Sequence, residues 1–481
     1  MTTLQEPRAL PSPAVAWLAW AAMVLPWLWP WAPPPSPSVP GLLVTWCLTA
    51  LLWVGLVWST RSASWQQSSS ALIILSGLLA WAAWRMPVMD LALLGGLAGS
   101  VLCVMVASQC SRLSRSTLLR HLCWALLSAA ALSSGIAGLQ YSGLLHQPLE
   151  WLSWLHASPN EEAYGQLRQR NQFGSLMSLG LAAWLYLAHR DEFSRPMRLV
   201  TWASLLALTL GQVASTSRTG ALTWMVLCLL AQWWPTQCKS PAHHTVARSG
   251  AALALLGFVL FCWVLPSLAS SLATVELPKA SALERWVEQA EGLGICESRV
   301  VLWRHVLELS LQQPWLGWGE LDFTHATQAV QGIRFCGQLG HAHNLLLQAV
   351  VEWGWPLSMC GLGALMFWTV RRQPWLARTP EAVLGWSWLG VIGVHSLLEF
   401  PLWYGPFQLV LGLAVGLVQP MPSTDSRADH ATKSWARSPV MQGMVALWLM
   451  CSLWASWDYH RVSQIFQPAA QRNDACRPVS Y

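Results

Sequence analysis

Charged side chains are scarce in this chain of 481 residues. Asp, Glu, Lys and Arg together make up 10% of it, whereas 54% of the residues are hydrophobic and the mean hydropathy is +0.39. A soluble globular protein carries about 25% charged residues. The shortage of charge therefore excludes a soluble protein of this size and indicates a polytopic membrane protein.

The basic residues form no long run. The formal charge is +6, but Lys and Arg are scattered in ones to threes between apolar segments. Because a nucleic-acid surface needs clustered cations, this pattern argues against a nucleic-acid partner and reflects membrane topology instead. The 35 tryptophans agree with a lipid bilayer as partner, since indole rings favour the headgroup region.

Two further absences concern the cysteines and the N-terminus. The 12 cysteines lack CxxC spacing, and most lie in apolar runs, where free cysteine behaves as a small hydrophobe. After Arg8, the first apolar run is broken by Pro26 and Pro30 and has no small-residue cleavage site. We therefore expect this run to remain as the first span rather than to be removed as a signal peptide.

Apolar segments of about 17 to 25 residues, long enough to cross a bilayer as helices, recur along the chain. They lie near residues 13–32, 40–59, 70–85, 88–108, 118–140, 173–189, 198–214, 219–234, 249–267, 345–370, 382–397, 403–419 and 439–457. The predicted fold is all-α, a polytopic membrane helix bundle of about 12–13 spans. One loop of about 75 residues is too long to be structureless, so we expect it to be partly helical.

The loop charges predict the orientation. With a cytoplasmic N-terminus, the cytoplasmic segments hold sixteen of the 28 basic residues but only six of the 22 acidic ones. The positive-inside rule favours this arrangement. Segments 141–172, 268–344 and 398–402, and the hairpin around Arg218, then share the outer face.

We divide the chain into five regions on this basis. They are N-terminal transmembrane helices (1–140), a transmembrane region with arginine-bearing outer motifs (141–267), the outer loop (268–344), C-terminal transmembrane helices with a histidine motif (345–457) and a short tail (458–481). The unusual polar residues collect in the segments assigned to the outer face. A functional site is therefore expected there.

Two histidines end the outer loop, where HAHNLLLQAVVEWGWP runs from His341 to Pro356. On a regular helix the step from His343 to Gly354 turns through about 1100°, which places both on one face about 16 Å apart. A glycine there would let a neighbouring helix approach, and an imidazole at the helix mouth suits proton transfer near neutral pH.

Three roles are open for these histidines: structural capping, metal binding and proton transfer. A metal site is disfavoured because no cysteine or carboxylate cluster completes four ligands. Glu352 lies nine residues after His343, about 180° away on a helix, so it is not expected to orient that ring. Proton transfer, chiefly through His343, is the favoured reading.

Two arginine-bearing strings precede the histidines. AYGQLRQRNQFGSL, from Ala163 to Leu176, places Arg168, Arg170, Asn171 and Gln172 beside a helix mouth, where they form either an ordinary polar flank or a binding site. Residues 215–220, STSRTG, form a tight turn between two spans. Arg218 there either snorkels to the headgroups or offers its fork of donors to phosphate oxygens, with hydroxyl groups alongside.

The outer loop and the segment after the span at 382–397 add further candidates. Helical periodicity from Arg299 to Leu311 makes Arg299 either a surface charge or a ligand. In HSLLEFPLWYGPF, His395 and Glu399 are four apart and meet on one face if the helix persists to Pro401. Cys296 and Cys336 both fall in the outer loop, where a disulfide is plausible.

These strings resemble motifs of the superfamily of O-antigen ligases, O-antigen polymerases and O-oligosaccharyltransferases. The histidine motif of that superfamily has His, a polar residue, nine residues and Gly, as at His343 and Gly354, although Leu357 departs from its usual small residue or Tyr. The strings at 163–176 and 395–404 are similar to signatures of the protein-glycosylation ligases called PglL. Gly165, Leu167, Arg168, Gln169 and Asn171 match, whereas Gln166, Arg170 and Phe400 depart.

The resemblance implies transfer of an oligosaccharide, in one block, from undecaprenyl diphosphate to Ser or Thr of a periplasmic protein such as pilin, at the bacterial inner membrane and without a cofactor or metal. It implies that His343 activates the acceptor and that Arg218 and the two arginines at 168 and 170 hold the diphosphate. The other substrate-binding candidates are Asn171, Gln172, Arg299, His341, Asn344, His395, Glu399 and Tyr404.

Other functions stay open at this point. An O-antigen ligase acting on lipid A core, or an O-antigen polymerase, would share the elements at His343 and Arg218. A transporter or flippase of lipid-linked glycans would show inverted repeats and charges at the membrane midplane. The chain has no internal repeat, and its charges gather at one interface, which disfavours transport.

Overall fold

A computed structural model describes residues 13–59, 96, 99–104, 106, 115–145, 154–157, 163–190, 194–234, 241–272, 281–282, 284–285, 298–319, 340–419, 439–467 and 472. Within these residues all regular elements are helical, which confirms the predicted all-α class. The positions of Cys296 and Cys336 lie outside the described residues, so their disulfide stays a prediction. The predicted span at 70–85 and most of the outer loop also lie outside them.

The longer helices of the described part are numbered here in chain order. They are α1 (Pro13–Leu28), α2 (Val39–Ser59), α3 (Arg115–Tyr141), α4 (Arg170–Arg190), α5 (Arg195–Ala214), α6 (Arg218–Trp233), α7 (Pro241–Leu272), α8 (Arg299–Gln312), α9 (Leu345–Trp353), α10 (Trp355–Arg372), α11 (Pro380–Ser396), α12 (Gly405–Leu417) and α13 (Pro439–Ser463). Short 3-10 turns occupy Pro374–Leu376, Pro401–Trp403 and Gln464–Phe466.

Most of these helices coincide with predicted spans. By length and composition, Thr117–Tyr141, Arg195–Ala214 and Pro241–Ala269 are long and apolar enough to cross a bilayer. Shorter apolar helices cover Pro13–Leu28, Val39–Gly55 and Gly405–Leu417. The helix predicted in the outer loop is also present as α8, whereas the total of about 12–13 spans stays a prediction.

Helix α4 forms the centre of the bundle. Its side chains from Gln172 to His189 are all buried, and it packs against α3, α5, α6, α7 and α11. A helix with apolar or small residues on every face has no face suited to water, so it is stable only when other helices surround it. This central position brings the first turn of α4 next to the ends of several neighbours.

Helices α4 and α11 run antiparallel. At one end of the pair the amide of Asn171 donates to the carboxylate of Glu399 at 2.8 Å. At the other end Arg190 forms an ion pair with Glu381. The motif residues at 171 and 399, distant in the sequence, therefore lie at the same end of the bundle.

Two glycines bring α6 into the same neighbourhood. A Cβ atom added to Gly174 would lie 3.1 Å from the Cα atom of Gly220, so side chains at these positions would push the helices apart. Small residues at such a crossing let two backbones approach closely. The starts of α4 and α6 are thereby held side by side.

The structure corrects the prediction for the histidine motif. His343 precedes α9 with φ of 50°, and Gly354 ends it with φ of 80°, so the two do not share a helix face. The predicted span 345–370 is accordingly two helices, α9 and α10. Gly354 does permit a close approach, but of backbone: a Cβ atom there would overlap the carbonyl group of Trp315.

Replacing Gly354 with alanine tests this account. Gly354 has φ of 80° and ψ of 166°, a conformation used almost only by glycine, so alanine there costs about 1–3 kcal/mol and the overlap with Trp315 adds to this cost. We expect a clearly lower melting temperature of the detergent-solubilised protein. Gly361→Ala is the matched control, because a Cβ atom added to Gly361 in α10 would have no atom within 4 Å and alanine favours helix by about 0.5–1 kcal/mol. Equal melting temperatures for both variants would contradict the backbone-contact account.

Candidate active site

A polar cavity of about 260 Å³ opens at the end of the bundle where the motifs meet. Its lining comprises Arg168, Gln169, Arg170, Asn171, Arg218, Thr219, Arg285, Arg299 and Glu399. Five arginines and one glutamate are therefore among the residues that line this space. Such an excess of planar, multidentate donors suits a ligand that carries more than one negative oxygen, such as a phosphate or diphosphate.

Three helices begin at this cavity, each with an arginine as its first residue. They are α4 at Arg170, α6 at Arg218 and α8 at Arg299. The N-terminus of a helix carries about half a positive charge and unpaired N–H groups. The helix N-termini and the guanidinium groups therefore both favour the binding of an anion in this cavity.

Arg168 reaches the cavity from the turn before α4. Its backbone adopts φ of 57°, and its Nη1 atom donates to the carbonyl of Ala32 at 3.3 Å. Gln140 fixes the same turn, since its amide bonds Tyr164 and Gly165 at 2.8–3.0 Å. Burial lowers the pKa of Arg168 from its ordinary value, so a bound anion would compensate this desolvation.

Glu399 joins the cavity to the histidine motif. Its buried carboxylate accepts from Arg299, from the Asn171 amide at 2.8 Å, and from Nδ1 of His343 at 2.6 Å. A buried charge is tolerated only when it is paired and hydrogen-bonded in this way. From the sequence, Glu399 was expected to play a supporting role beside His395, whereas the structure places its carboxylate on His343.

The ionisation of Glu399 reflects two opposed effects. Burial raises the pKa of its carboxyl, but the hydrogen bond from His343 and the charge of Arg299 outweigh it and hold the pKa below its ordinary value. The pairing therefore stabilises the fold above the ordinary carboxyl pKa and is lost as the pH falls through the folded value. At neutral pH the carboxylate is charged and orients the His343 ring.

The serines of the turn before α6 are structural. Ser217 caps α6 by accepting from Gly220 N at 2.9 Å and donates to the Asn171 side chain at 2.7 Å. Ser215 donates to the Gln212 carbonyl, and both serines are fully buried. The expectation that these hydroxyl groups reach a phosphate is therefore wrong, and Thr219 is the hydroxyl residue of this turn that lines the cavity.

The segment that carries His343, residues 341–344, is held at both ends. Asn344 caps α9 by accepting from Leu346 and Leu347 at 3.0 and 3.1 Å, and its amide donates to the Leu397 carbonyl at 3.0 Å. The His343 side chain is 34% exposed, with Nδ1 directed to Glu399. Nε2 is therefore the ring nitrogen available to a substrate.

A buried glutamine holds the other side of this segment. Gln348 accepts from the backbone N–H of Ala342 at 2.6 Å, and its amide donates to Glu352. The carbonyl of Glu352 in turn accepts from Gly319 at 3.1 Å, and that of Val351 accepts from Trp318 at 2.7 Å. Glu352 thus braces the histidine segment through Gln348.

An aromatic cluster lies beside the two histidines. The Phe400 ring is 4.5 Å from His341 and 5.1 Å from His343 between centroids, and Trp403 is 5.2 Å from His341. Burial, with a contribution from His343, lowers the pKa of His341 to about 4, although Glu399 opposes this shift. His341 is therefore neutral at physiological pH.

The remaining predicted residues do not line the cavity. Gln172 and His395 are fully buried, with side chains that lack hydrogen-bond partners within the described part of the chain. Tyr404 stacks against Phe400 at 6.4 Å. Of the predicted set, the cavity brings together Arg168, Arg170, Asn171, Arg218, Arg299 and Glu399.

Three lining residues were not predicted as ligands. Gln169 and Thr219 stand within the motifs at 163–176 and 215–220, next to arginines that were predicted. Arg285 lies in the sequence ERWVEQAE (284–291), whose other charged residues are all glutamates, and the carbonyl of Arg285 accepts from Nη1 of Arg218 at 3.4 Å. A cation at the start of an otherwise acidic stretch was the one available signal.

The fold and the cavity define an all-α membrane protein with an arginine-lined cavity, and comparisons with known proteins show what it is similar to. Residues 202–362 match the O-antigen ligase family model, and residues 383–481 match the family described as virulence factor membrane-bound polymerase, C-terminal. The first match contains Arg218, Arg299 and His343, and the second contains Glu399. These matches confirm the relation to the O-antigen ligase superfamily that the motifs predict.

One curated relative is the General O-oligosaccharyltransferase of Acinetobacter baylyi. It is 25% identical over 350 residues, which cover 71% of this chain and 57% of the relative. The chain thus spans little more than half the length of that protein. The string around Arg168 precedes both family matches, so the evidence for its role is the cavity itself.

Replacing Gln348 with methionine tests the bracing of the histidine segment. The change removes the acceptor of the buried Ala342 N–H group, at a cost of about 1–3 kcal/mol. We expect faster amide hydrogen exchange at residues 341–344 and a lower melting temperature. Gln312→Met, at the exposed end of α8, is the matched control and should change stability by no more than about 0.5 kcal/mol. Unchanged exchange in Gln348→Met would refute the bracing role.

Proposed function

We propose that this chain is an inner-membrane glycosyltransferase. It transfers an oligosaccharide, in one block, from undecaprenyl diphosphate to a Ser or Thr hydroxyl of a periplasmic protein such as pilin. One observation carries the proposal: Glu399 lines the arginine cavity and also binds the histidine, so an anion site and a proton acceptor share one carboxylate. The N-terminus is cytoplasmic in this proposal and the cavity faces the periplasm.

The cavity supplies the donor site. Arg168, Arg170 and Arg218 hold the diphosphate, and Arg285 and Arg299 complete the ring of cations around it. As the glycosidic bond breaks, negative charge grows on the departing diphosphate oxygen. Preorganised guanidinium groups and helix N-termini stabilise that charge more in the transition state than in the ground state.

His343 supplies the acceptor chemistry. The acceptor oxygen attacks the anomeric carbon, the bond from that carbon to the diphosphate oxygen breaks, and Nε2 of His343 takes the hydroxyl proton. Glu399 fixes the tautomer with hydrogen on Nδ1 and stabilises the imidazolium that forms. Glu399 is thus a positioning residue as well as a wall of the cavity.

The choice of a protein acceptor rests on two supports. The strings at 163–176 and 395–404 are similar to the protein-glycosylation ligases, and the Acinetobacter baylyi relative is named an O-oligosaccharyltransferase. An O-antigen ligase or polymerase is the second candidate, because the matching families carry those descriptions. A transporter is disfavoured because these described charges lie at the ends of the bundle rather than at its middle, the cavity arginines at one end and the Arg190–Glu381 pair at the other.

Replacing Glu399 with glutamine tests the shared carboxylate. An amide keeps the shape but neither fixes the His343 tautomer nor stabilises its charged form, so we expect glycan transfer to fall about 10²- to 10⁴-fold. Glu381→Gln is the matched control, because Glu381 is paired with Arg190 at the far end of α11. The measurement is transfer by purified protein of confirmed fold. If both variants lose activity equally, the role of Glu399 is general stability and the mechanism is wrong.

Co-expression with a lipid-linked glycan pathway and a pilin tests the reaction and its acceptor. We expect glycan on the pilin, and no product for His343→Ala or Arg218→Ala. His121→Ala and Arg248→Ala, which remove the same side chains outside the cavity, should retain activity. Glycan on lipopolysaccharide alone would establish the ligase alternative. Full activity of both site variants would refute the site.

A further inference from the structure

We propose that Trp403, Phe400 and His341 form a stacking platform for the first sugar ring of the donor. The proposal rests on the proposed function and deepens it by placing the sugar beside the diphosphate. It assigns these aromatic side chains to the recognition of carbohydrate rather than of lipid.

The platform is linked to the cavity through His343, which hydrogen-bonds Glu399 of the cavity lining and contacts the Phe400 ring. Phe400 directly follows Glu399 in the chain, and its ring lies 6.1 Å from Trp403, 4.5 Å from His341 and 5.1 Å from His343 between centroids. Phe400 therefore lies directly against the ring of the proton acceptor, and Trp403 and His341 lie against Phe400. Trp403 is 37% exposed, so part of its indole is accessible to a ligand.

The reaction geometry requires a sugar in this region. The anomeric carbon is bonded to the diphosphate, which the arginine cavity holds, and the acceptor oxygen must lie within about 3 Å of Nε2 of His343. The first sugar ring therefore lies between the diphosphate held by the arginines and Nε2 of His343. The Phe400 ring contacts the His343 ring, and Trp403 and His341 pack against Phe400.

The arginine cavity and the aromatic platform differ in chemistry, so each suits a different part of the donor. The cavity lining consists of arginine, amide, hydroxyl and carboxylate side chains and has no aromatic ring among the described residues. A sugar ring has apolar C–H faces, which pack on aromatic faces that carry partial negative charge. His341 is neutral, since burial lowers its pKa to about 4, so it adds a ring without a charge that competes for the diphosphate.

A membrane anchor is the alternative role for an exposed tryptophan, because indole favours the headgroup region. The contacts of Trp403 favour the sugar. Trp403 packs on His341, and both lie against Phe400, which touches the His343 ring. An anchor needs no contact with the residues of the reaction.

Two lipids and three variants test the platform. The lipids are a polyprenyl diphosphate that carries the glycan and the same polyprenyl diphosphate without sugar. We expect Trp403→Ala to raise KM for the first by about three- to tenfold and to leave binding of the second unchanged. Trp403→Phe should retain most of the affinity, because it keeps an aromatic face. Trp315→Ala, which removes a tryptophan 76% exposed elsewhere, is the control for anchoring.

Each outcome of this experiment either supports the platform or overturns it. Equal weakening of both lipids by Trp403→Ala, or equal effects of Trp403→Ala and Trp315→Ala, would make Trp403 an anchor and overturn the platform. Unchanged KM in a folded Trp403→Ala variant would also overturn it. If the wild type fails to bind the sugar-free lipid, or Arg218→Ala binds it normally, the proposed function itself fails. The two failures are thus distinguished by the sugar-free lipid.

Discussion

A single buried carboxylate constrains the end of this bundle where its motifs meet. Glu399 must be ionised to accept from His343, Arg299 and Asn171, and it must have those partners to be ionised at all, because an unpaired charge is too costly away from water. Its three donors come from the segment before α9, from α8 and from α4. The carboxylate therefore makes the positions of distant elements depend on one another.

The backbone around His343 follows from this constraint. A residue in the left-handed region costs free energy, so the surrounding bonds must fix it. The Asn344 cap, its bond to the Leu397 carbonyl and the Gln348 bond to Ala342 supply those restraints. Residues 341–344 are held at several points and thereby position the His343 ring. Its Nδ1 atom hydrogen-bonds the Glu399 carboxylate, and its Nε2 atom is left for another partner.

Much of the helical architecture could be predicted from the sequence, because apolar runs of membrane-crossing length fold as helices. Arg168, Arg218 and Glu399 could be singled out because charge is rare in such a chain. The break at Gly354 and the positive φ of His343 could not be predicted, since the apolar run LLLQAVVEW (345–353) begins directly after His343 and Asn344 and continues beyond Gly354 into an apolar segment. The partner of Glu399 was also out of reach: a spacing of four pointed to His395, whereas the actual partner is 56 residues away.

The excess of positive charge in the cavity affects the stability of the purified protein. Five arginines and three helix N-termini lie around a cavity that has one glutamate in its lining, so part of the repulsion between the positive charges persists until an anion enters. Anything that binds the folded chain and not the unfolded chain raises the free energy of unfolding by mass action. Phosphate or pyrophosphate in a purification buffer would then act as a stabilising counter-ion, and the lipid diphosphate of the proposed reaction would stabilise the folded chain in the same way.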